Sequence, residues 1–193
     1  MFMEVVLKNL LYLFVISFVF VGCTYKNTAI ELGEYNSKYI GKIAPTDKRI
    51  IIESVNDIRL DKHTIGYVIK DGKKKVTLHS HVDFEKRYKD DLKDALSSAR
   101  FNLNNDSYNS LNLKVYIKKI EIIYDDEKFD KNLSGYIELE VFIGLNKETI
   151  KQNFREKSQK WISPSYDSKD LEPFLHEMFS DSINNIVSRL TDY

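Results

Sequence analysis

The sequence is poor in the residues that build crosslinks, tight loops and charged binding surfaces. Its 193 residues include one cysteine, three prolines and seven glycines. A single cysteine excludes an intramolecular disulfide, and so few glycines argue against the loops that cradle phosphates. Lysine plus arginine equals aspartate plus glutamate at 29 each, so the formal net charge is zero. Because a nucleic-acid binder needs a basic excess, we expect no nucleic-acid partner.

Catalytic and metal-binding motifs are also missing. No serine lies in a G-x-S-x-G turn and no glycine-rich loop follows a predicted strand, so we expect neither an enzyme nor a cofactor. A small hydrolase whose groups converge only in the fold is the alternative. His79 and His81 lie on one face of a predicted strand, but no third ligand accompanies them, so we expect no metal site.

One long hydrophobic run stands at the N-terminus. Leu10 to Val21 contains no charged residue, and Gly22 and the sole cysteine, Cys23, follow at once. Twelve residues match the core of a signal peptide and fall short of the roughly 20 that a membrane-spanning helix needs. The residues Phe20 to Cys23 resemble the bacterial lipobox.

This resemblance implies processing as a lipoprotein. Signal peptidase would cut between Gly22 and Cys23, and the Cys23 thiol would carry a diacylglyceryl group, with fatty acids such as palmitate. Thr24 stands where the inner-membrane retention signal has an aspartate, which favours the outer membrane. Several acyl chains anchor a protein stably, since each buried methylene contributes about 0.8 kcal/mol.

The sequence predicts three segments. Residues 1–22 form the signal peptide, residues 23–48 the lipidated cysteine and a flexible tether, and residues 49–193 a single domain. A free tether of this length reaches roughly 25–30 Å. Docking of Tyr35, Tyr39 and Ile40 on the domain is the alternative, and it would shorten that reach.

Hydropathy patterns predict three strands and a helix in the first half of the domain. Residues 49–55 are rich in β-branched side chains and predict a strand. Asp71-Gly72 suits a tight turn with positive φ and predicts a hairpin between residues 65–69 and 75–79. Residues 83–100 repeat apolar side chains at helical spacing, with Asp83 as the N-cap.

Three more strands and a second helix follow. Apolar residues at 111–124 switch from odd to even positions near Lys118-Lys119, which predicts a β-bulge. Residues 133–145 alternate strictly, and residues 149–161 are mostly polar, as expected at a sheet edge. A last helix is expected to run to about Leu190, with Ser168 or Asp170 as its N-cap and Pro173 in its first turn.

These elements predict an α+β fold. An antiparallel sheet of four to five strands would carry two amphipathic helices on one face, in the order β-(β-hairpin)-α-β-β-β-α. The opposite face would present an amphipathic mixture that could meet a partner, namely Lys114, Tyr116, Lys118, Tyr136, Glu138, Glu140 and Phe142.

Val55, Asp57 and Arg59, followed by Ile65-Gly66, resemble the domain start of the YajG-like bacterial lipoproteins. The resemblance covers residues 49–190 and implies the same element order in an envelope lipoprotein. From the residues themselves, we expect Asp57 to accept backbone N–H groups of the following loop. We expect Arg59 to pair with an acid across the sheet, and neither residue to be catalytic.

The favoured function is a non-enzymatic, outer-membrane-anchored lipoprotein that faces the periplasm. It would serve as a binding or assembly module for an envelope protein or glycolipid. One alternative is a lipoprotein of the lipopolysaccharide-assembly type that partners an outer-membrane barrel, although the Cys-Gly-Phe start of that group is absent. A surface-exposed adhesin is another alternative.

Overall fold

The chain folds into an α+β domain, as predicted. A computed structural model describes residues 29–32, 39–45, 48–103, 110–145, 148–164 and 166–193. The signal peptide, Gly22, Cys23 and Tyr35 lie outside these residues. The elements of the described part are β1 (Arg49–Asp57), β2 (Thr64–Lys70), β3 (Lys73–His79), α1 (Phe84–Ser98), β4 (Ser110–Asp125), β5 (Leu133–Leu145), β6 (Glu148–Lys160) and α2 (Ser168–Leu190).

The sheet has six strands and is mixed, so the prediction of four to five antiparallel strands was wrong. β4, β5 and β6 form the expected antiparallel meander. β1 pairs in parallel with the first half of β4, and β2 pairs in parallel with its last residues. The two short strands therefore lie end to end along one edge of β4. Parallel pairing needs a long crossover, which β2, β3 and α1 supply between β1 and β4.

The predicted turn and bulge are both present. Lys70 pairs with Lys73 across the turn, and Asp71 and Gly72 have φ of 51° and 64°. Positive φ at both central residues matches the twist of the hairpin strands. The register of β4 against β5 shifts between Ile117 and Lys119, so the extra residue keeps the apolar side chains of both halves of β4 on one face.

Both helices begin at capped residues. Asp83 accepts a hydrogen bond from the Lys86 N–H, as expected. For α2 the predicted cap was wrong, because Asp167 caps the helix and forms a reciprocal capping box with Asp170. Asp167, Ser168 and Asp170 can all act as N-caps, and the reciprocal bond between Asp167 and Asp170 selects the first. Pro173 lies one turn deeper than expected, where its missing N–H leaves the Lys169 carbonyl without an intrahelical partner.

Both helices pack on the same face of the sheet and against each other. Tyr88 of α1 contacts Phe179 of α2 edge to face at 4.9 Å, and its hydroxyl lies 3.1 Å from Ser182 Oγ. Gly135 of β5 lets α2 approach closely, since a Cβ there would lie 2.1 Å from Met178 Sδ. Among the described residues, neither helix is both long and apolar enough to cross a bilayer.

Part of the predicted tether contacts the domain. Ile30 is fully buried, and its N–H donates to the His79 carbonyl. Ala44 donates to the Ala99 carbonyl, and Tyr39 packs against the core, whereas Ile40 stays exposed. Of the side chains expected to dock, Tyr39 does so and Ile40 does not, while Ile30 and Ala44 were not foreseen. These contacts make the reach of the segment shorter than that of a free chain.

Candidate functional site

The family-like motif forms a buried clamp at the end of β1. Arg59 donates from Nη2 to Asp57 Oδ2 at 2.6 Å and from Nε to Asp57 Oδ1 at 2.9 Å. The same guanidinium donates to the carbonyls of Lys62 and Thr64 and stacks over the Phe84 ring at 4.9 Å. The two side chains are 6% and 3% exposed. The pair therefore holds the loop between β1 and β2 in one conformation.

The expected role of Asp57 is confirmed and that of Arg59 is not. Asp57 accepts the backbone N–H of Arg59, as predicted for the following loop. Arg59 pairs with Asp57 itself rather than with an acid across the sheet, because the loop turns back within two residues. The polar contacts described for the clamp all lie within the domain, so the pair serves the conformation of this loop.

The rest of the motif places β2 against β4. Val55 and Ile65 are core residues. At Gly66 a Cβ would lie 1.9 Å from the carbonyl oxygen of Ile122, so only glycine permits this approach of the two backbones. The five motif residues thus build the corner at which the chain leaves β1 and joins β4 a second time.

The sheet face opposite the helices, hereafter the outer face, carries paired charges and aromatic rings. Glu140 lies between Lys151 at 2.7 Å and Lys118 at 3.7 Å. Tyr116 and Phe142 stack edge to face at 5.6 Å. Basic side chains outnumber acidic ones on this face: Lys74, Lys114, Lys118, Lys119, Lys151, Arg155 and Lys157 stand against Glu53, Glu121, Glu138 and Glu140.

A groove of about 610 Å³ lies on this face beside Tyr136. Lys119 Nζ and Lys157 Nζ lie 5.2 Å and 5.6 Å from the centre of the tyrosine ring. Ser134 and Lys131 contribute to the same lining. Among the described residues, no carboxylate lies within 4 Å of the amines of Lys131 or Lys157, so both can bind an incoming anion.

Hydrogen bonds shift the pKa values of ionisable groups on the outer face. The Lys151 ammonium hydrogen-bonds Glu140 and lowers the pKa of that carboxyl, while the Tyr136 hydroxyl does the same for the pKa of Glu138. Partial burial, followed by the bond to Glu138, raises the pKa of Tyr136. The carboxylates therefore stay charged and occupied by neighbours, and the tyrosine stays neutral at neutral pH.

Sequence patterns identified Tyr136 and Glu138 but neither Lys119 nor Lys157. Lys119 and Lys157 reach the same ring only because the bulge in β4 and the full pairing of β5 with β6 align three strands. His81 lies beside His63, with ring centres 6.3 Å apart. In the described ranges no three His, Cys, Asp or Glu side chains are grouped to hold a metal ion.

Comparisons with known proteins show the fold and the family. The chain is similar to a crystal structure described as an uncharacterized protein, with 14% identity, a TM-score of 0.51, and coverage of 78% of this chain and 99% of the other. It is also similar to protein XCC0632 of the DUF330 family from Xanthomonas campestris, with 13% identity, a TM-score of 0.51, and coverage of 84% and 90%. These likenesses support the α+β fold alone.

No curated protein matched the sequence. A family model described as an uncharacterized lipoprotein matches residues 42–189. The match covers the clamp, the whole sheet and nearly all of α2. The chain therefore belongs to this YajG-like family of lipoproteins, as the motif around Asp57 and Arg59 had indicated.

Proposed function

We propose that this lipoprotein is a non-enzymatic binding module, anchored in the outer membrane through Cys23 and facing the periplasm. Its outer face would bind an envelope glycolipid or protein. Membership of a lipoprotein family supports the anchor, and the uncovered basic and aromatic face supports the binding role. No cofactor enters this proposal.

The groove beside Tyr136 is the observation that carries the binding role. A flat aromatic ring gives a surface on which a sugar ring can lie, and the lysine amines beside it can bind a phosphate or carboxylate. Lys131 and Lys157 are available because no acidic side chain neutralises them among the described residues. This chemistry favours an anionic glycolipid head group over a protein segment.

Photocrosslinking in cells tests the proposal. A benzophenone amino acid replaces Tyr136 in one variant and Lys93 in a control, because Lys93 lies on α1, on the opposite side of the sheet. We expect a glycolipid adduct from position 136 and none from position 93. If position 136 gave a protein adduct and position 93 gave none, the partner would be an envelope protein instead of a glycolipid. Equal labelling from both positions would contradict a binding role for the outer face.

A charge-matched pair of variants sharpens the test. In the crosslinker background, Lys131→Gln with Lys157→Gln removes both available amines, and we expect the adduct yield to fall about tenfold, since two charge-assisted contacts are lost. Lys93→Gln with Lys89→Gln removes the same charge from α1 and should leave the yield unchanged. An undiminished yield in the first variant would show that the groove does not select the ligand.

A further inference from the structure

The groove beside Tyr136 continues across the sheet to a second tyrosine. Tyr67 of β2 is paired with Ile123 of β4, and Ile123 lines the groove. Ile123 is paired in turn with Ser134 of β5, which lines the groove as well. Val68 is a core residue, so its neighbour Tyr67 points to the other side of the sheet. Tyr67 therefore stands on the outer face, in register with the groove.

A single row of paired residues crosses five strands along this line. The sheet order is β3-β2-β4-β5-β6, and the row begins at Thr77 and ends at Gln159. Four spacings between strands give this cross-strand row a length of about 19 Å. The strands that carry Tyr67 and Tyr136 are two spacings apart, or about 10 Å. One sugar ring is too narrow to cover both tyrosines, whereas a chain of several rings can do so.

Amines accompany both tyrosines. Lys74 Nζ lies 3.7 Å from the centre of the Tyr67 ring, and Lys119 Nζ lies 5.2 Å from that of Tyr136. Partial burial raises the pKa of Tyr67 and Lys119 opposes that rise, so the Lys119 charge is close to both rings. Among the described residues, no carboxylate lies within 4 Å of the Lys74 amine. Because its stem is flexible, this amine can leave the ring for an anionic group when a sugar covers the tyrosine.

We propose that the outer face binds a linear, anionic oligosaccharide of several rings, laid along the cross-strand row with Tyr136 and Tyr67 as its two stacking platforms. This inference rests on the proposed function and specifies its ligand as the extended saccharide part of an envelope glycolipid. Thr77, Ser134 and Gln159 supply hydroxyl and amide groups along the path, which can hydrogen-bond sugar hydroxyls. The lysines bind the anionic groups of the chain.

Oligomers of galacturonic acid test the length of the site. The full-length protein in detergent micelles is titrated by calorimetry with the dimer and with the hexamer, and neutral maltohexaose is the control for charge. We expect the hexamer to bind about tenfold more tightly than the dimer, because only the hexamer reaches both tyrosines. Maltohexaose should bind about tenfold more weakly than the anionic hexamer. Equal affinity for the two anionic oligomers, or no binding of either, would overturn the inference.

Variants of the hairpin test the second platform. Tyr67→Ala should weaken binding of the hexamer about tenfold and change that of the dimer less than about twofold, because the dimer retains Tyr136. Lys74→Gln alters only an exposed side chain, so it tests the same platform without disturbing the fold. It should weaken the hexamer about fivefold. Lys73→Gln removes the same charge from the neighbouring residue, which pairs with Lys70 on the other side of the hairpin, and should leave the affinity unchanged.

Tyr136→Ala separates this inference from the proposed function. We expect it to weaken binding of both oligomers. If it does so while neither Tyr67→Ala nor Lys74→Gln changes the affinity for the hexamer, the groove remains the binding site and its extension to Tyr67 is overturned. If Tyr136→Ala changes neither affinity, the proposed function fails together with the inference.

Discussion

Gly66 shows how one residue can decide which strands meet. Its backbone lies against that of Ile122, and no side chain fits between them. Gly72 also needs glycine, but for its φ of 64° alone, since nothing lies within 4 Å of the position of its Cβ. Gly66 is therefore required because no side chain fits at its position, and Gly72 is required because of its backbone conformation.

Gly66→Ala is expected to cost about 3 kcal/mol or more of unfolding free energy, because the carbonyl of Ile122 is backbone and cannot rotate away. Gly72→Ala is expected to cost about 1 kcal/mol, which is the penalty of a left-handed conformation alone. Urea denaturation of both variants measures the difference. Equal losses would show that β2 and β4 are not held as closely as described.

The clamp between Asp57 and Arg59 should behave as one unit. Arg59→Met leaves the Asp57 carboxylate buried without its partner and should destabilise the domain by about 3–5 kcal/mol. Asp57→Asn together with Arg59→Met removes both charges, so its cost should be clearly smaller than the sum of the single changes. A double-mutant cycle by chemical denaturation gives the coupling. Additive losses would contradict the clamp.

Asp91 gives the fold a pH dependence. Burial raises the pKa of its carboxyl to about 6, although Arg87 Nε binds it at 2.8 Å and opposes the shift. The side chain is only 6% exposed, so burial outweighs the ion pair. Because the pKa is higher in the folded state than its ordinary 3.8, the folded state binds the proton more tightly. This contribution to stability is complete below about pH 4 and is lost as the pH rises through 6.

Asp91→Asn should abolish this contribution. We expect the wild type to lose up to about 3 kcal/mol of this group's contribution between pH 4 and pH 7, and the variant to show a flatter profile. Asp130→Asn, in the exposed loop between β4 and β5 and not among the groups that shift the pKa of Asp91, is the control and should follow the wild type. Unfolding free energies across that pH range decide the matter, and parallel curves for all three proteins would refute the assignment.

At the scale of elements, the sequence predicted what depends on neighbours along the chain. The hairpin turn at Asp71-Gly72, the N-cap at Asp83 and the bulge at Lys118-Lys119 all follow from local patterns. The direction of strand pairing does not follow from such patterns. The hydropathy pattern of β1 and β2 would be the same whether these strands paired with β4 in parallel or antiparallel. The groove was missed for a related reason, since Lys157 meets Tyr136 only through the register of two separate strands.

The bulge in β4 allows a test at this scale. Deleting Lys118 removes the extra residue, so one half of β4 must turn its apolar side chains to the outer face. We expect loss of cooperative thermal unfolding and of near-ultraviolet circular dichroism. Deleting Lys128 removes the same charge from an exposed loop and should leave both signals intact. Cooperative unfolding of the first variant would show that the phase of β4 does not depend on the bulge.

The whole molecule distributes its zero net charge unevenly. Basic side chains predominate on the outer face, so the remaining surface is acidic in balance. Helix packing covers one side of the sheet, the docked N-terminal segment covers part of the core, and the outer face is left for a partner.

The side of the membrane on which the domain stands separates the proposed module from an adhesin. An epitope behind a protease site, fused after Tyr193, should survive protease treatment of intact cells and be lost once the outer membrane is permeabilised. The same epitope on a known surface protein is the control for protease activity. Cleavage on intact cells would place the domain outside the cell, and the basic groove would then face ligands of the surroundings rather than of the periplasm.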